Sequence, residues 1–200
     1  METINLKCVG IDLSDEISIK KATEIRFNLT YNTLKKRIFY IKNVLCIGAE
    51  NGFDKQMCSY FNAEYNYTTF DLNKPWPYTP DMFKNHIYDY VFCFEVLEHL
   101  MNPLLFLCEL KKLNLPVAIT YPRQPFTQFR GGTHFHEFPT LVFQTLLYNA
   151  GFKIDYHVSL TSRHGWWKFP KSFKKLISRV LTIFGYPKWE LYIVSPSERR

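Results

Sequence analysis

The sequence lacks long apolar runs. No window of its 200 residues reaches the roughly 18 uninterrupted apolar residues of a membrane-spanning helix. Its first residues, METINLKCVGIDLSDE, carry acids where a secretory signal peptide needs an apolar segment. We therefore expect a cytoplasmic protein without a transmembrane helix. The balance of 46% apolar and 22% charged residues is typical of a globular domain and excludes a largely disordered chain.

Cysteine pairs with the spacing of a metal site are also absent. The five cysteines are odd in number, and no CxxC occurs. Several lie inside apolar runs, which is typical of small buried side chains in a reducing compartment. The pattern indicates neither a zinc site nor a disulfide framework.

The glycine-rich fingerprint G-x-G-x-x-G of dinucleotide-binding enzymes is missing as well, which counts against a nicotinamide or flavin enzyme. In its place stands VLCIGAENG, an apolar strand that runs into a turn before a short helical stretch. Gly48 and Gly52 permit a tight turn and a close approach of a ligand to the backbone.

Predicted strands alternate with predicted helices along the chain. The strand patterns cover 42–48, 64–73, 88–96, 116–122 and 152–160, and helical patterns follow most of them. This alternation predicts an α/β fold with a mostly parallel sheet and helices on both faces, completed by an antiparallel terminal strand at 189–194. We expect one domain, with a helical segment at 1–41, a ligand-binding core at 42–160, and a basic helix and last strand at 161–200.

Polar residues stand where three further strands end. Asp71 ends the second strand and lies 19 residues after Gly52. The segment FEVLEHL, at the end of a buried strand, carries Glu95, Glu98 and His99. Ligands of open α/β sheets bind at the carboxyl ends of the strands, so these residues are candidates for a site. The segment THFHEF adds His134, His136 and Glu137 after the next strand.

Four segments together resemble the class I S-adenosylmethionine-dependent methyltransferases. VLCIGAENG resembles their first motif, and FDLNKPWPY resembles the segment that contacts adenosine. YDYVFCFEVLEHLMNP closely resembles the motif after their fourth strand, and THFHEFPTLVFQTLLYNAGF looks like a segment common in their biosynthetic branch. The resemblance covers roughly residues 42–160 and implies a Rossmann-like fold and S-adenosylmethionine as the cofactor.

The resemblance also implies site residues. The turn from Cys46 to Gly52 would line the methionine part of the cofactor, Asp71 would bind the ribose, and Trp76 or Tyr78 would lie near adenine. The implied cofactor-binding set is Cys46, Gly48, Ala49, Glu50, Gly52, Asp71, Leu72, Trp76, Phe94 and Glu95.

The sequence departs from the family pattern at two places. The family usually has an acid where Cys46 stands and a glycine where Glu50 stands, so Glu50 either replaces the missing carboxylate or obstructs the pocket. Only 18 residues separate Asp71 from Asp89, too few for the usual helix and third strand, which predicts a shortened middle of the sheet.

The predicted function is methyl transfer to a hydroxyl of a small molecule, sugar or lipid-linked acceptor. The candidate bases are His99, His134 and His136, with Glu95 beside them. Two alternatives remain open. Glu95, Glu98, His99 and His134 resemble the metal set of small-RNA 2'-O-methyltransferases, which would make the protein a metal-dependent RNA enzyme. The chain could also be an inactive methyltransferase fold that serves as a binding or scaffold protein.

The net charge of +7 is concentrated at the C-terminal end. Residues 163–200 hold nine Lys or Arg and two Glu, whereas residues 1–162 hold sixteen of each sign. The segment 171–184 has the pattern of a basic amphipathic helix, with Trp166 and Trp167 upstream. It predicts either packing on the sheet or peripheral contact of residues 166–184 with an anionic membrane; nucleic acid is a further anionic partner.

Overall fold

The computed structural model describes residues 16–48, 52–68, 87–123, 135–136, 138–160 and 188–198. In chain order the described elements are α1 (Glu16–Leu34), β1 (Asn43–Ile47), α2 (Phe53–Tyr60), β2 (Glu64–Thr68), β3 (Tyr90–Phe94), a 3₁₀ turn (Leu97–His99), α3 (Pro103–Lys111), β4 (Val117–Arg123), α4 (Thr140–Asn149), β5 (Phe152–Leu160) and β6 (Lys188–Pro196).

The described strands form one sheet in the order β2-β1-β3-β4-β6-β5. β2, β1, β3 and β4 are mutually parallel. β6 is antiparallel to both of its neighbours, β4 and β5. The predicted antiparallel terminal strand is therefore confirmed, and it lies between β4 and β5. Because the chain moves from β1 outward to β2 and then returns to β3 on the other side of β1, the order reverses between β1 and β3.

Helices cover both faces of this sheet, as the sequence predicted. On one face, Phe106 of α3 and Phe143 of α4 pack on Ile119 and Tyr121 of β4. On the other face, Phe27 of α1 and Met57 of α2 pack in the cluster that includes Phe92. The parallel strands β1 and β3 are buried over almost their whole length, as expected for strands with helices on both sides.

Local signals account for the ends of the helices. Asn102 caps α3, because its Oδ1 accepts a hydrogen bond from the Leu105 amide over 3.1 Å, and Pro103 occupies the first turn. Gly151 follows α4 with a φ of +86°, the left-handed conformation in which glycine commonly ends a helix.

Several predictions fall on residues outside the described ranges. These are the roles of Ala49, Glu50, Asp71, Leu72, Trp76, Tyr78, His134 and Glu137, the basic segment 166–184, and the second half of the strand predicted at 64–73. No strand is described between β2 and β3, where residues 69–86 are not described. None of the helices in the described ranges is long and apolar enough to cross a membrane.

Candidate functional site

The candidate site lies where the strand order reverses, at the carboxyl ends of β1 and β3. Loops leave these two neighbouring strands in opposite directions, which opens a crevice at this edge of the sheet. Gly48 follows β1 with a φ of +74°. Residues other than glycine rarely adopt this left-handed conformation. Gly52 precedes α2, and a Cβ added to it would meet no described atom within 4 Å. Gly52 therefore leaves space beside its own backbone among the described atoms.

Glu95 directly follows β3 and makes three hydrogen bonds, two with Thr120 and one with Arg26. Its amide donates to the Thr120 carbonyl over 3.0 Å, and its Oε1 accepts from the Thr120 hydroxyl over 3.0 Å. Its Oε2 accepts from Arg26 Nη1, also over 3.0 Å. The φ of Glu95 is +55°, a left-handed conformation that costs of order 1 kcal/mol for a residue of this type. These contacts hold the carboxylate in one orientation despite that cost.

The side chain of Arg26 connects helix α1 to this edge of the sheet. Its guanidinium lies 5.2 Å from the ring centre of Phe53 at the start of α2 and 5.9 Å from that of Trp189 on β6. A groove of about 720 Å³ between α1 and α2 is lined by Thr23, Arg26, Gly52 and Phe53 among others. The groove thus reaches from the Gly52 turn to the Arg26 side chain.

Asp54, in the first turn of α2, is a second carboxylate beside Arg26. Its side chain is almost completely buried, with 1% of the residue exposed. Neither carboxylate oxygen has a hydrogen-bond partner in the described part of the chain. Burial raises the pKa of Asp54 to about 7, and the positive charge of Arg26 opposes that rise. Asp54 therefore changes its charge near neutral pH.

Glu98 and His99 lie in the 3₁₀ turn just after Glu95. The Glu98 carboxyl is buried, and burial together with the nearby Glu95 charge raises its pKa well above the usual range. His99 Nε2 lies 3.9 Å from Glu98 Oε1, and 28% of the His99 side chain is exposed. Burial also raises the pKa of Glu95, opposed by Arg26, Thr120 and His99. The Glu98 carboxyl therefore favours its protonated, neutral form. His99 is an accessible imidazole next to it.

The two predicted segments of acids and histidines are in contact. The amides of Phe135 and His136 both donate to the Glu98 carbonyl, over 2.7 and 3.1 Å. The His136 ring stacks on Phe138 at 5.5 Å, and its Nε2 lies 3.3 Å from the Met101 carbonyl. The His136 ring is therefore tied to the backbone of the loop that follows the 3₁₀ turn.

Cys46 lies in the core behind the turn. Its side chain is fully buried, and its Sγ lies 3.5 Å from Cys58 Sγ of α2. Its thiol is therefore a core group and presents nothing to a ligand. Phe94, another residue of the implied cofactor set, packs edge-on against Phe53 with ring centres 5.7 Å apart.

The described residues contain no group of three or more His, Cys, Asp or Glu side chains arranged to hold a metal ion. Both carboxylate oxygens of Glu95 accept hydrogen bonds, one from Arg26 and the other from Thr120. His134, the fourth member of the metal alternative, lies outside the described residues.

Sequence reasoning missed Arg26, Asp54 and Thr120. Asp54 stands two residues after Gly52, which is a usable signal, because an acid in the first turn of a helix near a ligand-binding turn is a candidate contact. Arg26 and Thr120 carry no such signal, since their roles depend on where α1 and β4 lie relative to β3.

A second polar cluster, also missed, lies on β4, β5 and β6. Glu190 is fully buried and accepts hydrogen bonds from His157 Nε2 and, over 2.9 Å, from the Ser159 hydroxyl. Arg123 Nη1 is 3.4 Å from Glu190 Oε1. These contacts join strands β4, β5 and β6.

No family model and no curated protein sequence matches this chain. Solved structures do match it, and the chain has the fold of the class I S-adenosylmethionine-dependent methyltransferases, which confirms the fold predicted from the sequence. One match is a complex between the Haloferax volcanii methyltransferase activator Trm112 and a methyltransferase, with a TM-score of 0.64 and 11% identity over 92% of this chain and 95% of that one.

Two further matches show what the fold accommodates. The O-methyltransferase of a Brevibacillus brevis trans-AT PKS multienzyme, in complex with S-adenosyl-L-homocysteine, has a TM-score of 0.54 and 12% identity over 90% of this chain and 76% of that one. The [4+2]-cyclase SpnF has a TM-score of 0.53 and 10% identity over 86% and 81% of the two chains. A fold shared by such different proteins does not fix the reaction, so function depends on the site.

Proposed function

We propose that the protein is an S-adenosylmethionine-dependent methyltransferase that methylates a hydroxyl group of a small molecule, sugar or lipid-linked acceptor. The observation that carries the proposal is Glu95. It occupies a strained backbone conformation at the switch point of the sheet and is fixed there by Arg26 and Thr120. Strain maintained by a set of contacts at a strand end is typical of functional sites.

The residues present fit this cofactor. S-adenosylmethionine carries positive charge on its sulfonium and its ammonium group, and the site offers the carboxylate of Asp54, near the Arg26–Glu95 pair, at the edge where ligands of such sheets bind. Gly48 and Gly52 leave backbone groups accessible. When bound, the cofactor supplies an electrophilic methyl group on sulfur. The turn at 48–52 would hold its methionine part, Phe94 and Glu95 would lie beside it, and Asp71 is proposed for the ribose.

The protein's own residues would contribute positioning and a base. Methyl transfer from a sulfonium depends chiefly on alignment, and a hydroxyl acceptor must in addition lose a proton. Among the described histidines of the site, His99 is best placed, because its ring is partly exposed and lies beside the buried Glu98 carboxyl. We assign His99 the role of general base, and Glu95, whose carboxylate is fixed by Arg26 and Thr120, a place beside the cofactor.

The test is cofactor binding followed by turnover. We expect S-adenosylhomocysteine to bind the purified protein in calorimetry, and labelled methyl groups to appear on a hydroxyl-bearing acceptor from a screened panel. His99→Ala should reduce turnover about 100-fold or more while leaving S-adenosylhomocysteine affinity within a factor of two to three. His136→Ala is the matched control, since its ring is already bonded to the Met101 carbonyl.

Each result separates the alternatives. If well-folded protein binds neither S-adenosylmethionine nor S-adenosylhomocysteine, the enzyme proposal is wrong. The hypothesis of an inactive methyltransferase fold that serves as a binding or scaffold protein then replaces it. If His136→Ala removes turnover and His99→Ala does not, the assignment of the base is wrong.

The anionic partner proposed for residues 166–184 has its own test. A peripheral membrane contact predicts co-sedimentation with anionic vesicles that is lost when Lys174, Lys175 and Arg179 become Glu. An RNA partner instead predicts RNA binding that weakens steeply with salt. If vesicle binding survives these three substitutions, the hypothesis that residues 166–184 contact the membrane is wrong.

A further inference from the structure

Asp54 is a buried acid without a counter-group of its own. Its side chain is 1% exposed, and neither oxygen accepts a hydrogen bond from any described residue. The positive charge of Arg26 acts on it, but no hydrogen bond joins the two, and Arg26 Nη1 is bonded to Glu95. Burial of a carboxylate that accepts no hydrogen bond is costly, so its presence calls for a donor that the described chain does not supply.

The position of Asp54 points to the turn between β1 and α2. Asp54 and Cys58 are four residues apart on α2, so their side chains lie on the same face of the helix. Cys58 Sγ is 3.5 Å from Cys46 Sγ on β1, which shows that this face is directed at the carboxyl half of β1. Asp54 therefore lies on this same face, one helical turn closer to Gly52, in the first turn of α2.

The other acids of the site already have partners or lie elsewhere. Both oxygens of Glu95 accept hydrogen bonds, one from Thr120 and the other from Arg26. Glu98 also has no hydrogen-bond partner among the described residues, but it lies elsewhere, in the 3₁₀ turn after β3, 3.9 Å from the ring of His99. At the end of β1, Cys46 carries no charge. Among the described residues, Asp54 is therefore the carboxylate on the β1 side that has free acceptor capacity.

We infer that Asp54 binds the α-ammonium group of the cofactor's methionine part. Two acceptor oxygens without donors need N–H or O–H groups, and in the methionine part of the cofactor the ammonium is the group that has them. A charge-assisted hydrogen bond in a buried position is also among the stronger polar contacts. This inference rests on the proposed cofactor and is independent of the methyl acceptor.

The test compares two ligands that differ in one group. S-adenosylhomocysteine and its analogue with hydrogen in place of the α-amino group are titrated into the protein by calorimetry at pH 8, where Asp54 is ionised. We expect the wild type to prefer S-adenosylhomocysteine by about 10- to 100-fold. Asp54→Asn, which keeps the side-chain shape, should reduce that preference to less than about threefold while leaving the affinity for the analogue nearly unchanged.

Asp155→Asn is the matched control, because Asp155 pairs with Lys153 on β5, away from the switch point. This variant should keep the full preference of the wild type. A preference that survives in Asp54→Asn, or is equally lost in Asp155→Asn, overturns the inference while leaving the cofactor proposal intact. Absence of binding of both ligands by folded wild type overturns the cofactor proposal, and the inference with it.

Discussion

Arg26 Nη1 donates a hydrogen bond to Glu95 Oε2 over 3.0 Å, which joins helix α1 to the end of β3 across 69 positions of the chain. The same guanidinium lies over the rings of Phe53 and Trp189. One side chain thus contacts residues from three separate parts of the sequence at the carboxyl edge of the sheet. Helix α1 is for this reason part of the candidate site.

The Arg26–Glu95 pair should contribute measurably to stability. Both side chains are mostly buried, with 22% and 17% exposed, so solvent screens the pair weakly. A double-mutant cycle with Arg26→Gln and Glu95→Gln should give a coupling free energy of about 1–3 kcal/mol, measured by urea unfolding.

The pair Lys153–Asp155 is the control for this cycle. Lys153 is 70% exposed, and its coupling should be no more than about 0.5 kcal/mol. Equal coupling free energies in the two cycles would contradict the prediction that the mostly buried Arg26–Glu95 pair stabilises the protein more than an exposed pair does.

Asp54 should make the stability of the ligand-free protein depend on pH. Its pKa is raised from the ordinary value of 3.8 to about 7, so the folded state keeps a proton that the unfolded state loses above 3.8. Stability therefore falls as pH rises from about 4 to 7 and levels off above 7. Asp54→Asn should remove this contribution, and its advantage over wild type should grow by about 2–3 kcal/mol between pH 5 and pH 8.

Glu95 and Glu98 also have raised pKa values, so the contribution of Asp54 is the difference in stability between wild type and Asp54→Asn. The titratable groups that interact with Asp54 are Arg26 of α1, Cys46 of β1, Tyr65 of β2 and Cys93 of β3. Burial contributes to a raised pKa for both thiols, above the tested range, and raises the pKa of Tyr65 to about 12. Urea unfolding at several pH values checks the prediction, and a constant difference between the two proteins would refute it.

Glu190 should be a principal polar support of the antiparallel part of the sheet. Glu190→Ala would leave the donors of His157, Ser159 and Arg123 without their buried acceptor, and should destabilise the protein by about 3–5 kcal/mol. Ser159→Ala removes a single hydroxyl and should cost about 1 kcal/mol. Thermal or urea unfolding gives both values, and a loss below 1 kcal/mol in Glu190→Ala would show that the cluster contributes little.

Two glycines should respond differently to alanine. Gly151 has a φ of +86°, and a Cβ there would lie 3.2 Å from the Lys111 side chain, so Gly151→Ala should destabilise by about 1–2 kcal/mol. Gly52 has a φ of −41° and open space around an added Cβ among the described atoms, so Gly52→Ala should change stability by less than about 0.5 kcal/mol. Similar losses in both variants would rule out the conformational explanation.

Much of the fold was predictable, because it depends on local patterns. The apolar runs that became β1, β3 and β4 are buried on both faces, and such runs stand out in a sequence. The helix Thr140–Asn149 ends two residues before Gly151, as the glycine signal indicated. The segment predicted to lead into α3 begins with a 3₁₀ turn, which its periodicity does not distinguish from a loop.

The sequence by itself determined the class of fold and the presence of Glu95, Glu98 and His99 at the end of a buried strand, since strand patterns and strand ends are local properties. Only the tertiary structure decided that Arg26 neutralises Glu95, that Cys46 packs against Cys58, and that Asp54 is buried without a partner. The reason is physical: burial and charge pairing depend on which helix lies across the sheet edge, and elements distant in sequence are brought together there by packing of the core.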